Sequence, residues 1–234
     1  MIKNRMLDWV RLPSEWINGE GLKRLRWDRG QGADNIAALM LLIAIAHRAE
    51  QETGKSHATY DDLAQATHLS RAKISAGLDV LEAIGVLRRQ PDGRSSYQLV
   101  DFILSGGWAK LPARKLYGLA KTSGIDAFRE FTLRRPAELN ALKLYLLFAA
   151  RRGTDTNLAN ISFDKITAYS GVDRPRIKQA LSVLAVAGLV HVERIPSELS
   201  EYGVSNAYRL THLDPHTHMG TRGRDLSQVI AARF

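Results

Sequence analysis

The chain states one pattern twice. Residues Thr59 to Leu99 and Ser162 to Leu210 share their apolar, capping and glycine positions. In the first copy Thr-Tyr-Asp-Asp-Leu (Thr59 to Leu63) leads to Leu69, Ser70, Ile74, Leu78, Leu81 and Gly85. In the second, Ser-Phe-Asp-Lys-Ile (Ser162 to Ile166) leads to Val172, Asp173, Ile177, Leu181, Leu184 and Gly188. The offset is constant (162 − 59 = 103; 188 − 85 = 103), so this stretch aligns without a gap. Trp9-Val-Arg-Leu-Pro13 recurs as Trp108-Ala-Lys-Leu-Pro112 at a shorter offset (108 − 9 = 99). Two copies in 234 residues imply a duplicated small domain, because a solenoid needs more units to bury its faces.

The repeated unit reads as three helices and a hairpin. Ile36 to Ala46 is apolar throughout and gives way to His47, Arg48 and Glu50, which suits a buried helix better than a strand. Thr53-Gly-Lys-Ser56 breaks it. Thr59, with Asp62 three residues on, caps a short second helix that ends near Ala66. After a tight turn Ser70 caps a third helix, whose Ile74, Leu78 and Leu81 fall on one face. Gly85 stops it. Val86 to Arg89 and Ser96 to Val100 are strands about the turn Pro91-Asp-Gly-Arg94.

The second copy repeats the order. Its first helix is Leu139 to Ala150; Ser162 and Asp173 cap the next two; Leu189 to Glu193 and Asn206 to Leu210 are its strands, about a long polar loop from Arg194 to Ser205. The expected fold class is mainly α with small β-hairpins (α+β), arranged as two tandem winged helix-turn-helix domains. The expected boundaries are residues 1–104 and 105–213, with a C-terminal tail, 214–234, whose Arg224 to Arg233 suits a short amphipathic helix for packing or self-association.

Charge narrows the partner. The formal net charge is +9 and the pI about 9.9, which favours a polyanion. Residues 1–100 carry 14 basic and 12 acidic side chains and residues 101–234 carry 19 and 12, so the second half holds +7 of the +9. Cysteine is absent, which excludes disulfides, thiol catalysis and thiolate metal sites. The first residues lack an apolar core of secretory length, and Ile36 to Ala46 is too short to span a bilayer. The expectation is a cytoplasmic protein without a membrane partner.

Gly107-Trp-Ala-Lys-Leu-Pro112, Ala141-Leu-Lys-Leu-Tyr145, Val172-Asp-Arg-Pro-Arg-Ile177 and Leu184-Ala-Val-Ala-Gly-Leu189, in this order, resemble winged-helix proteins of mobile elements. Plasmid-type replication initiators and related regulators carry two such domains in one chain. The resemblance spans most of the chain at the level of architecture, through motifs generic to winged helices. It implies binding of repeated DNA sites at an origin by both domains.

A helix-turn-helix inserts the exposed face of its third helix, near the N-terminus, into the major groove. In the first copy that face offers Arg71, Lys73 and Ser75, with Ala72 and Ala76 for close approach. In the second it offers Arg174, Arg176, Lys178, Gln179 and Ser182, the richer set. Arginine bridges guanine O6 and N7, and glutamine adenine N6 and N7. Arg88, Arg89 and Arg94 of the first hairpin face phosphate or the minor groove, whereas Glu198 and Glu201 after Arg194 repel it. Lys23, Arg24, Arg26 and Arg29 form a basic run around Trp27, read either as a backbone grip or as a solvated surface over a buried Trp. The two readers sit about one DNA turn apart on an asymmetric or repeated site of double-stranded DNA.

No chemistry is expected. His212, His216 and His218 with Asp214 lack ligand spacing and strand context, so no metal is assigned. Gly54-Lys55-Ser56 lacks the upstream glycine of a phosphate-binding loop. No cofactor or catalytic group is assigned. The expected function is sequence-specific DNA binding by a replication initiator or regulator of a plasmid or other mobile element. The alternatives are a transcriptional repressor using the same residues and a winged-helix protein-interaction scaffold.

Overall fold

The computed structural model describes residues 6–28, 30–90, 95–102, 107–118, 124–196 and 204–213. The first half runs β1 (Trp9–Pro13), α1 (Glu15–Asn18), a 3-10 turn (Gly21–Arg24), α2 (Gly32–Ala46), β2 (Lys55–His57), α3 (Tyr60–Thr67), α4 (Arg71–Ala83), β3 (Leu87–Arg89) and β4 (Ser96–Leu99). The second runs β5 (Trp108–Pro112), 3-10 turns at Arg114–Leu116 and Asp126–Glu130, α5 (Pro136–Arg151), β6 (Leu158–Asn160), α6 (Phe163–Ser170), α7 (Arg174–Val186), β7 (Val190–Pro196) and β8 (Val204–Leu210). The protein is mixed α and β, with seven α-helices and eight short strands among the described residues.

Local chemistry sets the helix ends. The Thr59 side chain accepts from the Asp62 N–H, and the Asp62 carboxylate accepts from the Thr59 N–H at 2.8 Å, a reciprocal capping box. Ser70 and Ser162 accept from the N–H groups of Lys73 and Lys165. Asp173 occupies the N-cap position of α7 without making the cap bond; its carboxylate meets Arg176 instead, at 3.4 Å. Gly85 and Gly188 take φ of +76° and +66° just past α4 and α7, a conformation that ends a helix cheaply only at glycine.

At the start of α5 the fully buried Glu138 accepts from the Thr132 and Arg134 N–H groups (3.2 Å each), the Thr132 hydroxyl (2.8 Å) and Arg135 Nε (2.9 Å). Burial alone pushes this carboxyl up, but those donors outweigh it and hold the group below its usual range.

Each half packs its helices against a three-stranded antiparallel sheet, in the orders β2-β4-β3 and β6-β8-β7. The short strands β2 and β6 are additions to the hairpins read from sequence: beyond the end of α2, Lys55 and Ser56 pair with Gln98 and Tyr97. The second hairpin is longer than read: Arg194 to Pro196 pair with Asn206 to Val204, inside the stretch expected to be loop. On α7 the inward positions are Ile177, Ala180 and Leu184; Leu181 is half-buried. The turn Pro91 to Arg94, Arg29, Asp214, His216, His218 and the tail lie outside the described residues.

The halves share one continuous hydrophobic cluster, with α2 against α5. Strand β1 pairs antiparallel with β5: Trp9 opposite Pro112, Arg11 opposite Lys110, Pro13 opposite Trp108. Val10, Leu12, Ala109 and Leu111 face inward. On the outer face Trp9 and Trp108 stack at 5.6 Å, with Lys110 Nζ 4.5 Å from the Trp9 ring centre and the Arg11 guanidinium 5.2 Å from that of Trp108.

The segments after these strands cross over. α1 and the Gly21–Arg24 turn pack on α5 and α6 of the second half. The stretch after β5 returns to α3 of the first half, where the Ile125 N–H donates to the Ala66 carbonyl (2.9 Å). Gly124 lies so close there that a Cβ would come within 2.2 Å of the Gln65 carbonyl oxygen. Among the described residues no helix is long and apolar enough to cross a membrane.

Candidate nucleic-acid interface

The last helix of each half, α4 and α7, presents a polar face away from its core. On α7 the buried Ile177, Ala180 and Leu184 leave Arg174, Arg176, Lys178, Gln179 and Ser182 exposed. Arg174, Lys178 and Ser182 succeed one another at spacings of four, so they form one row, with Gln179 beside it. The Ser182 hydroxyl donates back to the Lys178 carbonyl at 3.1 Å. Lys178 makes no ion pair among the described residues.

On α4 the polar face is tighter. Arg71 is exposed, but Lys73 and Ser75 are half-buried. Lys73 Nζ donates to Asp34 of α2 at 2.6 Å, across 39 residues of sequence. This pair turns a candidate reading lysine back toward its own core.

The first cation of α4 and the first of α7 are each matched by an acid ten residues earlier. Arg71 donates to Asp61 at 2.7 Å and Arg174 to Asp164 at 2.9 Å. The acids sit at the repeat offset (164 − 61 = 103), and all four side chains are well exposed. Exposed pairs contribute about 0–1 kcal/mol, so a phosphate displaces such an acid at small cost. Asp61 and Asp164 stand in the repeated motifs that open α3 and α6, but nothing local in the sequence marks them as partners of Arg71 and Arg174; their recurrence at the offset was the available signal.

The cations of the first hairpin divide. Arg88 is exposed on β3 and makes no ion pair among the described residues. Arg89 reaches back to α4: its Nε donates to Glu82 at 2.7 Å and its terminal nitrogen to Asp79. These bonds raise the guanidinium pKa and, through the Arg89 hydrogen bonds, hold the Glu82 carboxyl below its usual range. Arg89 thus clamps β3 to α4 and balances two acids on that helix's face. Arg94 lies outside the described residues.

On β7 His191, Val192 and Arg194 are exposed. Glu193 instead takes the guanidinium of Arg209 on the neighbouring strand.

The basic run before α2 also divides. Arg24 donates to the carbonyls of Ile84 (3.0 Å) and Ala83 (3.2 Å), so it caps the C-terminal end of α4. Trp27 is 37% exposed, which removes the reading of a solvated surface over a buried Trp. Lys23 and Arg26 turn toward α5 and α7 of the other half and line a cleft there. His212 follows β8 in an exposed position.

No protein-family model matches the chain, and a search of curated proteins returns no match.

Proposed function

We propose that the chain is a tandem winged helix-turn-helix protein that binds double-stranded DNA by sequence, as a replication initiator or regulator of a plasmid or other mobile element in the cytoplasm. The observation that carries this reading is the exposed row Arg174, Lys178 and Ser182 with Gln179 on α7, beside the β7–β8 hairpin. The same helix-and-hairpin order recurs around α4. The second half is the stronger reader: Lys178 and Gln179 are exposed and uncommitted among the described residues, whereas Lys73 and Arg89 of the first half are held by acids. The first half then adds backbone contacts through Arg71 and Arg88, and the site has two unlike halves.

A protein-interaction scaffold is the second reading. It is favoured by exposed Val186 on α7, Val192 on β7 and Val204 on β8.

Selection of bound duplexes from a random pool, then titration of the winner against a scramble, tests the proposal. The expected result is a consensus without twofold symmetry, bound roughly a thousandfold tighter than the scramble. Gln179→Ala relaxes preference at one base step by about 1–3 kcal/mol. Weak binding blind to sequence overturns this reading and favours the scaffold.

A further inference from the structure

A cleft of about 350 Å³ lies where the segment before α2 crosses onto the second half. Four cations line it: Lys23 and Arg26 from the crossing segment, Lys143 from α5 and Arg176 from the first turn of α7. Trp27 and Asn140 complete a wall suited to a polar ligand, and Asp28 supplies one acid. Two further acids stand outside the lining: Glu20 pairs with Lys23 at 2.7 Å and Asp173 with Arg176 at 3.4 Å. Both pairs are exposed and exchangeable.

Lys143 is the unusual member. It is 4% exposed, and its single hydrogen bond among the described residues runs from Nζ to the Leu25 carbonyl at 3.0 Å. An ammonium has three donors, so two remain. At the repeat offset its counterpart in the first half is Met40 (143 − 40 = 103), a buried apolar side chain. The fold therefore does not need a lysine there. A buried charge without a carboxylate partner is costly unless something compensates it.

We propose that this cleft binds a phosphate group, presented either by a DNA backbone or by a free phosphorylated small molecule. Three flanking cations hold the oxyanion, and Lys143 donates to it from below. Burial, and then the neighbouring Arg26, lower the Lys143 pKa to about 8, against the opposing pull of Asp173. A bound anion reverses this shift, so the ligand and the proton on Lys143 favour each other. The proposal does not depend on DNA reading by α7, because its first test contains no DNA.

That test is calorimetric titration of the whole chain with inorganic pyrophosphate at low ionic strength, repeated with Lys143→Met and Arg26→Gln. Lys143→Met installs the residue that the other half already carries, and circular dichroism checks that both variants remain folded. The expected result is saturable one-to-one binding, weakened at least about tenfold in each variant by loss of a charge-assisted hydrogen bond. No saturation of the wild type by about 10 mM, the millimolar edge of specific affinity, overturns the proposal, and so does equal binding by wild type and both folded variants.

A duplex arm then identifies the source. With a backbone phosphate as the natural ligand, pyrophosphate displaces duplex, and Lys143→Met reduces the salt slope of duplex binding by about 1. With a free small molecule, pyrophosphate binds with equal affinity whether or not duplex is present. A chain that binds pyrophosphate and no duplex supports the small-molecule source while overturning the DNA-binding reading.

Discussion

Lowering the pH from 7.5 to 5 should destabilise this protein through one side chain. His47, just past α2, is buried, and its Nδ1 lies 3.1 Å from the Tyr117 hydroxyl, which is itself 3.2 Å from Arg48. Arg48 has only donors, so the hydroxyl accepts from it, while the direction of the contact with Nδ1 follows the imidazole tautomer. Burial first, then the adjacent Arg48 charge, lower the His47 pKa from 6.5 to about 3, with the Pro112 carbonyl pulling the other way. The folded value lies below the unfolded one, so the unfolded chain takes up the proton first. Stability is therefore complete above pH 6.5 and falls as pH drops, by about 1.36 kcal/mol per unit until the folded pKa is reached. At pH 5 the loss is about 2 kcal/mol, which corresponds to roughly 4–8 °C in Tm for a chain of this size.

Urea unfolding followed by circular dichroism at half-unit pH steps measures this loss. The carboxyls of Asp62, Glu82 and Glu138 are lowered, so their contributions disappear only below the ordinary carboxylate range and leave the window from pH 6.5 to 5 to the histidine. His47→Gln should be less stable than wild type at pH 7.5 but nearly flat across the window. A wild type that loses no stability between pH 7.5 and 5, or a variant that loses as much as wild type, would refute the assignment.

Two further outcomes follow from the packing and the wing. A Cβ on Gly77 would come within 2.9 Å of the Ala38 backbone nitrogen and 2.7 Å of the Leu41 side chain, so Gly77→Ala should cost about 1–3 kcal/mol in thermal unfolding despite its better helix propensity. Its counterpart Ala180 is fully buried without such a clash, and Ala180→Gly should cost about 1 kcal/mol; a stabilised Gly77→Ala would show that α2 and α4 part freely. Arg89→Ala bares Asp79 and Glu82 on α4, whereas Arg88→Ala removes a charge with no ion pair among the described residues, so in duplex titrations Arg89→Ala should weaken binding more on every sequence. Equal losses for the two would remove the role assigned to the clamp.

The parts of the fold written in short-range chemistry were legible in the sequence. Thr59, Ser70 and Ser162 bond to N–H groups three residues on, and the glycines after α4 and α7 act through their own backbone angles. The long apolar helices were legible for the same reason, although Gly32 and Pro136 begin them earlier than their apolar runs suggest. The three-residue strands β2 and β6 were not, because Lys-Ser-His and Leu-Ala-Asn are too short to show alternation and owe their pairing to a distant strand. Side chains fixed across the chain were equally hidden. Lys73 finds Asp34 over 39 residues, and Lys143 finds the Leu25 carbonyl over 118. In each case the sequence displays a cation but not what receives it. The candidate reading helices were therefore located correctly as helices, while the division of their cations into held and exposed required coordinates.

The Trp-Val-Arg-Leu-Pro ribbon also bears on ancestry. Its register is centred on Arg11 opposite Lys110, and each outer pair joins one end of a strand to the other end of its repeat. A twofold axis between two identical strands imposes the same self-complementary pattern. The crossed segments, one half's Gly21–Arg24 turn lying on α6 and the other's Ile125 on Ala66 of α3, follow the same exchange. A single-copy forebear, meeting its own twin, would have built this contact unaided, with arms exchanged between partners. Within one polypeptide the same encounter is independent of concentration and the two halves need not be identical: Met40 answers to Lys143, and Gly77 to Ala180, at the repeat offset.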